Sequence, residues 1–246
     1  MEPRTAAFVG VAGGAGTTRL AVETAAALAR DGASVGVFDA AFATQGLSQY
    51  VDGRIDTDAT AVFAGDAAPA DARHDLVADA PGTVAAYPAF APFARLADAK
   101  TPAAAERLGG ALDDLTDAHD YVLVDAPPVA ANQAVAAVTD SDRVLAVAPP
   151  GDRGVDSLQR ARGRLADVGA EFDLAVANRV SEAPPDADLA IPAHDDTGVP
   201  DDPAALSESG DFAASVAALA EAAFVAEIAA DFENESLVAA AREKLP

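Results

Sequence analysis

The stretch "GVAGGAGTTRL" (residues 10–20) decides the fold of this chain. It follows an apolar run at residues 6–9 and precedes a helix-like run at residues 21–29. A strand, a glycine-rich turn and a helix in this order can hold a phosphate group, because glycines let the backbone curl and free N–H groups at the helix start point at the anion. The candidate nucleotide-binding residues of the loop are Gly13, Gly14, Ala15, Gly16, Thr17 and Thr18.

The lysine of a standard phosphate loop is missing here. That lysine normally reaches the β and γ phosphates, and the Ser or Thr after it places a hydroxyl on magnesium. Thr17 occupies the lysine position and Thr18 the magnesium position. Taken alone, the pattern leaves two interpretations open: a nucleotide site, and a tight strand-to-helix turn with a purely structural role.

The rest of the chain alternates between short apolar runs and helix-like stretches. Strands are predicted at residues 6–11, 34–39, 83–87, 121–126, 143–148 and 173–178. Helices are predicted at residues 18–30, 102–118 and 154–168, with Gly32 and Gly169 as helix stops. Because the apolar runs show no polar alternation, they are typical of a parallel sheet covered on both faces. The pattern predicts a single α/β domain over residues 1–246, with three layers and a mostly parallel twisted sheet between helices.

The C-terminal third contains an acidic, proline-rich excursion at residues 182–211, with a short strand predicted at residues 188–192. Its aspartate pairs, at positions 195–196 and 201–202, suit either a solvated loop or metal ligands, and the solvated loop is favoured because charge runs usually face water. Residues 212–246 are predicted to form packing helices. Apolar residues recur at helical spacing over residues 212–228, and a second helix is expected at residues 236–245.

Composition limits the possible partners. The formal charge of −24 comes from 40 acidic and 16 basic residues, of which two are lysine. Such a surface repels nucleic-acid backbones and anionic lipids, so we expect no direct nucleic-acid or membrane binding. Low lysine with abundant aspartate resembles the composition of proteins from organisms that keep molar salt in their cytoplasm, where the Debye length is about 3 Å.

There is no cysteine, no secretory signal at the start and no long uncharged apolar run, which predicts a cytoplasmic protein.

Five motifs together resemble the deviant-Walker ATPases of the MinD and ParA family. In chain order they are "AGGAGTTR" (12–19), "VGVFDAAFATQGLS" (35–48), "YVLVDAPP" (121–128), "RVLAVAPPGDRGVDSLQRARGRL" (143–165) and "LAVANRV" (174–180). The resemblance implies a P-loop NTPase fold with ATP or ADP and Mg²⁺ as cofactors. It also implies protein partners and a possible homodimer.

Three substitutions fall on residues that perform chemistry in that family. Ala12 replaces the signature lysine, Thr17 the loop lysine, and Ala41 the second aspartate of the first switch, which orients the attacking water. A missing charge-assisted contact costs roughly 1.5 to 3 kcal/mol, so two missing cations predict about a hundred-fold to ten-thousand-fold weaker binding or turnover. The resemblance implies that magnesium is held by Thr18, Asp39 and Asp125, the two aspartates also being the catalytic candidates.

Two further positions carry open alternatives. Arg19 either folds back to the phosphates as a substitute cation or pairs with Glu23, four residues on along the helix. Arg153 is a second candidate cation. The resemblance places Asn178 beside the adenine, whereas a structural interpretation has it capping the turn after its strand. The three histidines form no spaced set of ligands, so none is assigned to a metal.

The favoured function is a MinD/ParA-like regulator of spatial cell organisation, covering division, shape, motility or chromosome positioning. It would act through protein partners, with a degenerate nucleotide site and weak or absent ATP hydrolysis. Two alternatives stay open. One is an ATP-dependent enzyme of the same fold with a substitute phosphate cation, and the other is a scaffold that binds no nucleotide.

Overall fold

A central sheet of eight strands organises the chain. The computed structural model describes residues 2–77, 80–200 and 202–232. The strands are β1 (Thr5–Gly10), β2 (Ser34–Asp39), β3 (His74–Val77), β4 (Thr83–Tyr87), β5 (Tyr121–Ala126), β6 (Arg143–Ala148), β7 (Leu174–Asn178) and β8 (Leu189–Ile191). Their order is β3-β4-β2-β5-β1-β6-β7-β8, and all neighbours are parallel except β3 and β4. The predicted mostly parallel α/β sheet is confirmed.

Helices cover both faces of this sheet. They are α1 (Thr17–Arg30), α2 (Ala59–Ala64), α3 (Phe93–Ala99), α4 (Pro102–Ala105), α5 (Leu108–Ala118), α6 (Asn132–Asp140), α7 (Asp152–Asp167), α8 (Ala204–Ser207) and α9 (Asp211–Phe224), with short 3₁₀ helices at Gly46–Tyr50 and Pro69–Ala72. Within the described ranges, none of these helices is long and apolar enough to cross a bilayer.

The core lies on both sides of the sheet, as uninterrupted apolar strands require. In β2, Val37 packs into the cluster formed with α1 and α9, while its neighbour Phe38 packs into the cluster on the opposite face. On that second face Phe63 stacks against Phe38 at a ring-centroid distance of 5.8 Å. Successive side chains of a strand point to opposite faces, so a strand buried on both faces needs apolar residues at every position.

Helix α1, which follows the glycine loop directly, is largely buried. Ten of its fourteen residues are buried, half of them alanine, which brings the helix close to the sheet and to α8 and α9. Glu23 is buried within it, and its two carboxylate oxygens accept from Arg19 Nε at 3.3 Å and from the Ala205 N–H at 2.8 Å. The buried carboxylate therefore ties the start of α8 to α1.

The structure differs from the sequence-based prediction at a few elements. Strand β3 was not predicted, because the polar edge sequence "HDLV" pairs on one side only. The helix predicted at residues 102–118 is divided between α4 and α5 by a turn at residues 106–107, just before Gly109 and Gly110 in the first turn of α5, which weaken helix propagation. Helix α9 ends at Phe224, where Val225 adopts φ 53°. The helix predicted at residues 236–245 lies outside the described residues.

Candidate nucleotide and magnesium site

The glycine loop connects β1 to α1 and fixes the backbone for an anion. Gly14 has φ 74° and Gly16 has φ 83°, in the left-handed region that glycine adopts without strain. Gly16 immediately precedes α1, and no side chain caps the helix there. The first N–H groups of α1 are therefore free to bind a ligand.

Two consecutive residues at the end of β7 hold the loop from outside. Asn178 donates from Nδ2 to the Ala15 carbonyl at 2.8 Å, and Arg179 donates from Nη2 to the Gly14 carbonyl. Because the C=O and N–H of one peptide unit point in opposite directions, the bond to Ala15 turns the Gly16 N–H away from Asn178. This contact is neither of the two predicted ones, because the amide of Asn178 anchors the distant glycine loop and does not cap the turn after its own strand. A role toward adenine stays a prediction.

Thr17, in the lysine position, packs back onto the sheet. A Cβ placed on Gly10 would lie 2.6 Å from Thr17 Oγ1, so β1 has a glycine where the threonine side chain lies against it. A hydroxyl held against the end of β1 carries no charge and cannot reach as far as a lysine ammonium. Thr17 therefore replaces both the charge and the length of the missing lysine with a short neutral group.

Thr18, Asp39 and Asp125, the magnesium ligands that the resemblance implies, lie at the carboxyl edge of the sheet. Thr18 Oγ1 donates to Asp125 Oδ2 at 2.5 Å. The β2–β5 register places Asp39 directly opposite Asp125, and the Ala41 N–H donates to Asp39 Oδ1 at 2.8 Å. Parallel neighbours β2 and β5 end at the same level, which explains why two aspartates 86 positions apart in the chain come together.

Burial and mutual repulsion disfavour the charged forms of Asp39 and Asp125, and a bound cation would offset both effects. Burial and the neighbouring Asp125 raise the pKa of Asp39 well above its ordinary value. Burial raises the pKa of Asp125 to about 6, against the lowering effect of the Thr18 hydrogen bond. Within the described ranges, no Lys, Arg or His side chain bonds to either carboxylate. Paired carboxylates beside a hydroxyl suit Mg²⁺, which prefers oxygen ligands.

A magnesium ion at this position would take its other ligands from outside the carboxylate pair. No group of three or more His, Asp or Glu side chains with metal-binding geometry occurs in the part of the chain that the structure describes. Mg²⁺ commonly keeps waters and substrate phosphates among its ligands, so two carboxylates and the Thr18 hydroxyl are enough protein groups. The residues present therefore fit a nucleotide-bound magnesium better than a permanent structural metal.

The cleft at the loop has a volume of about 270 Å³ and neutral walls apart from Asp125. Ala41 and Ala12, at the positions of the aspartate and lysine of the resembled family, line it, and an alanine side chain carries no polar or charged group. No Lys or Arg side chain among the described residues lines this cleft. The loop thus has free backbone N–H donors, but the side chains around the cleft supply no positive charge.

Arg19 is directed away from the phosphate cleft. Its Nε lies 3.3 Å from Glu23 Oε1, and its Nη1 donates to the Asp196 and Gly198 carbonyls at 2.5 and 3.1 Å. One helical position beyond Thr18 turns the side chain by about 100°, toward the residue one turn further on. The structure therefore forms the second alternative, pairing with Glu23, and brings no contact between Arg19 and the glycine loop. Arg153 lies in a separate cleft, beside α7.

A second, larger cleft of about 450 Å³ adjoins the loop on the side of Asn178. Its walls combine apolar groups with polar and charged ones, among them Arg19, Arg179 and Asp196. Burial raises the pKa of the Tyr50 hydroxyl there to about 12, which keeps it a neutral donor. The lining includes Gly16, Leu20, Tyr50, Asn178, Pro192 and Phe212.

Sequence reasoning missed Arg179 as a loop contact. It is a non-glycine residue with φ 62°, and this conformation directs its side chain over the glycine loop. Its position directly after Asn178 in "LAVANRV" was the available signal. The backbone conformation that turns the side chain toward Gly14 could not be read from the residue type.

A glycine loop between the first strand and first helix, with aspartates ending the two neighbouring strands, defines the P-loop nucleotide-binding class of fold. Comparisons with solved structures narrow the class to the MinD/ParA type. The septum site-determining protein MinD of Pyrococcus horikoshii, complexed with Mg-ADP, matches at a TM-score of 0.71 and 21% identity, over 89% of this chain and 94% of that one.

Two other solved structures give the same result. A chain of the MinC:MinD cell division protein complex of Aquifex aeolicus matches at a TM-score of 0.73 and 20% identity, over 94% of this chain and 100% of that one. A putative plasmid partition protein of Borrelia burgdorferi bound to AMPPNP matches at a TM-score of 0.72 and 14% identity, over 90% of this chain and 98% of that one. No family model and no curated protein matches the sequence. The chain has the MinD/ParA-type fold.

Proposed function

We propose that this chain is a MinD/ParA-type regulator of spatial organisation, in cell division or DNA partition, that works through protein partners. It binds a nucleotide with Mg²⁺ and hydrolyses it slowly or not at all. The fold supports this assignment, since its structural neighbours include a septum site-determining protein, a cell division complex and a plasmid partition protein.

The observation that carries the proposal is the Thr18–Asp125 hydrogen bond beside Asp39, at the mouth of a loop without lysine. A turn with a purely structural role has no need of two buried carboxylates facing each other, because their repulsion and desolvation destabilise the fold. Their presence is explained if a ligand brings positive charge to them. Bound with a nucleotide, Mg²⁺ would neutralise these carboxylates and the phosphates together.

Each part of the nucleotide has a matching region in the structure. The phosphates would bind the free N–H groups at Gly16 and the start of α1, as anions do at helix N-termini. The base would enter the cleft lined by Tyr50 and Phe212, with Asn178 at its boundary to the loop. Aromatic and apolar walls with a few polar groups suit a planar heterocycle.

Arg179 is the best-placed substitute for the missing positive charge. Its guanidinium lies on the Gly14 carbonyl, whereas Arg19 is engaged with Glu23 and with backbone carbonyls. A fork-shaped donor on the loop suits a phosphate oxygen geometrically. Because the Arg179 guanidinium is bonded to the Gly14 carbonyl, it lies outside the phosphate cleft. It would therefore assist nucleotide binding more than the transfer of the terminal phosphate.

Ligand-dependent thermal unfolding tests the proposal. The protein is heated in molar KCl with Mg²⁺ and ATP, ADP or GTP, and phosphate release is followed in parallel. A ligand at about a hundred times its Kd stabilises the native state by about 2.7 kcal/mol. We expect a Mg²⁺-dependent upward shift in Tm with slow phosphate release, and loss of the shift in Thr18→Ala.

The other outcomes separate the competing functions. No shift at millimolar nucleotide would contradict the proposal and favour a nucleotide-independent scaffold. Rapid turnover would contradict the inference drawn from Thr17 and Ala12, and would favour an ATP-dependent enzyme of the same fold.

A further inference from the structure

Three arginines form an unpaired positive face on α7. Arg153, Arg160 and Arg164 are exposed and line one cleft of about 270 Å³. Arg153 and Arg164 form no hydrogen bond or ion pair within the described residues, and Arg160 donates only to the Ser157 hydroxyl at 3.0 Å. We call Arg153, Arg160 and Arg164 the arginine face.

This face is an exception in a strongly acidic chain. With 40 acidic and 16 basic residues, carboxylates are plentiful, and most other arginines in the described ranges bond to a carboxylate or a backbone carbonyl. Arg162, on the same helix, lies 3.7 Å from Asp186. Asp152 and Asp156 are also on α7, yet neither lies within ion-pair distance of the arginine face. Positive charge is thus concentrated and left available to an outside group.

The cleft beside the arginine face borders the candidate phosphate cleft. Its opposite wall consists of Val9, Val11, the glycine loop and the segment after β5. Ala12, Gly13 and Pro128 line both clefts. A group bound against the arginine face would therefore touch the backbone that holds the nucleotide, so the two sites can influence each other.

We propose that the arginine face is a docking surface for an acidic segment of a protein partner. This deepens the proposed function and rests on it, because it names the chemistry of the partner that such a regulator would contact. Guanidinium groups bind carboxylates in a bidentate manner, and arginine is enriched among residues that dominate protein interfaces.

The spacing of the arginines favours a peptide over a small anion. Arg160 and Arg164, four residues apart on a helix, have Cβ atoms about 6 Å apart. Arg153 lies seven residues before Arg160, which is about 10 Å along the helix axis. A single phosphate or carboxylate cannot span that distance, whereas successive acidic side chains of an extended segment can.

The surroundings disfavour a nucleic acid. A duplex presents a charge about every 1.7 Å along its axis, so its phosphates would extend past the three arginines onto the rest of an acidic surface. On α7 itself the exposed Asp152 and Asp156 flank the arginines. A short acidic segment avoids this repulsion because its charges end with the face.

The experiment uses labelled octaglutamate and fluorescence anisotropy on the full chain. Binding is measured over a range of KCl concentrations in which circular dichroism shows the chain folded. The test variant combines Arg153→Ala, Arg160→Ala and Arg164→Ala. The matched control combines Arg54→Ala, Arg73→Ala and Arg162→Ala, which removes the same charge from arginines that are paired with aspartates.

We expect octaglutamate to bind the wild type, and to bind it more weakly as KCl rises. The test variant should bind it at least about tenfold more weakly, because three guanidinium contacts are lost. The control should bind octaglutamate with an affinity within about twofold of the wild type, a difference no larger than the effect of one exposed ion pair.

The inference is overturned by absence of binding, by equal losses in both variants, by displacement with millimolar inorganic phosphate, or by tighter binding of duplex DNA to the same arginines. The nucleotide-induced Tm shift of the test variant is measured alongside, so failure here is distinguishable from failure of the proposed function.

Discussion

Thr18 and Asp125 join the first helix to the centre of the sheet by a 2.5 Å hydrogen bond between residues 107 positions apart. The bond closes the glycine loop against the end of β5. Both side chains are also among the groups that would hold Mg²⁺ when a nucleotide is bound. The contact therefore links the stability of the ligand-free chain to the chemistry proposed for the site.

Replacing Asp125 should stabilise the ligand-free protein above neutral pH. The pKa of Asp125 is raised from 3.8 to about 6, so its charged form is less favourable in the folded than in the unfolded chain. Above pH 6 this difference destabilises the fold, and it disappears as the pH falls toward 3.8. We expect Asp125→Asn to gain about 1 to 3 kcal/mol at pH 8 and almost nothing at pH 4, measured by denaturant unfolding in EDTA.

In the presence of Mg²⁺ and nucleotide, the wild type should be more stable than Asp125→Asn. Since the carboxylate of Asp125 is proposed to help hold the metal, the wild type should gain stability from Mg²⁺ with ATP and Asp125→Asn should gain little. If the variant is less stable than the wild type in EDTA at pH 8, the electrostatic account of the aspartate pair is wrong.

Gly16 is required by the backbone of the loop, whereas Gly13 is not. Gly16 has φ 83°, and a Cβ there would lie 2.5 Å from Asn178 Nδ2. A Cβ on Gly13 would meet nothing within 4 Å. We expect Gly16→Ala to lower the free energy of unfolding by about 1 to 3 kcal/mol and Gly13→Ala to change it by less than about 0.5 kcal/mol. Equal effects in chemical denaturation would show that the loop is not held as described.

The sequence predicted the sheet well and the orientation of side chains around the loop less well. Every buried strand was found, because a strand covered on both faces leaves an uninterrupted apolar run. The family resemblance grouped Thr18, Asp39 and Asp125, and the fold accounts for their proximity, since the carboxyl ends of parallel strands share one edge. The side-chain contacts of Arg19 and Arg179 could not be predicted in this way. Those of Arg19 depend on which face of α1 the residue occupies, and those of Arg179 depend on a left-handed backbone conformation.

Arg179 and Arg19 should differ in their effect on nucleotide binding. Arg179 contacts the loop carbonyl of Gly14, while Arg19 bonds to Glu23 and to the Asp196 carbonyl. We expect Arg179→Ala to weaken Mg-ATP binding by about tenfold, the value of one charge-assisted contact, and Arg179→Lys to restore part of it. Calorimetric titration measures both, with Arg19→Ala expected to change the affinity less. A larger loss in Arg19→Ala than in Arg179→Ala would transfer the role of phosphate cation back to Arg19.

His119 should make the fold sensitive to mild acid. It is buried against the neighbouring strands β2 and β4, with Nε2 2.7 Å from the Tyr87 hydroxyl and Nδ1 2.9 Å from Ser34 Oγ. Burial lowers its pKa below the ordinary 6.5, so the unfolded chain takes up a proton before the folded chain does. Stability conferred by the neutral ring is therefore complete above pH 6.5 and is lost as the pH falls below it, at no more than about 1.4 kcal/mol per pH unit.

The difference in unfolding free energy between the wild type and His119→Gln isolates this effect, because the aspartate pair and His194 titrate alike in both. His194 has a pKa raised chiefly by its hydrogen bond to Glu208, which gives the opposite slope. We expect the advantage of the wild type over His119→Gln to be largest at pH 8 and to shrink steadily toward pH 5. A difference that stays constant over that range would mean that His119 is protonated equally in the folded and unfolded chains.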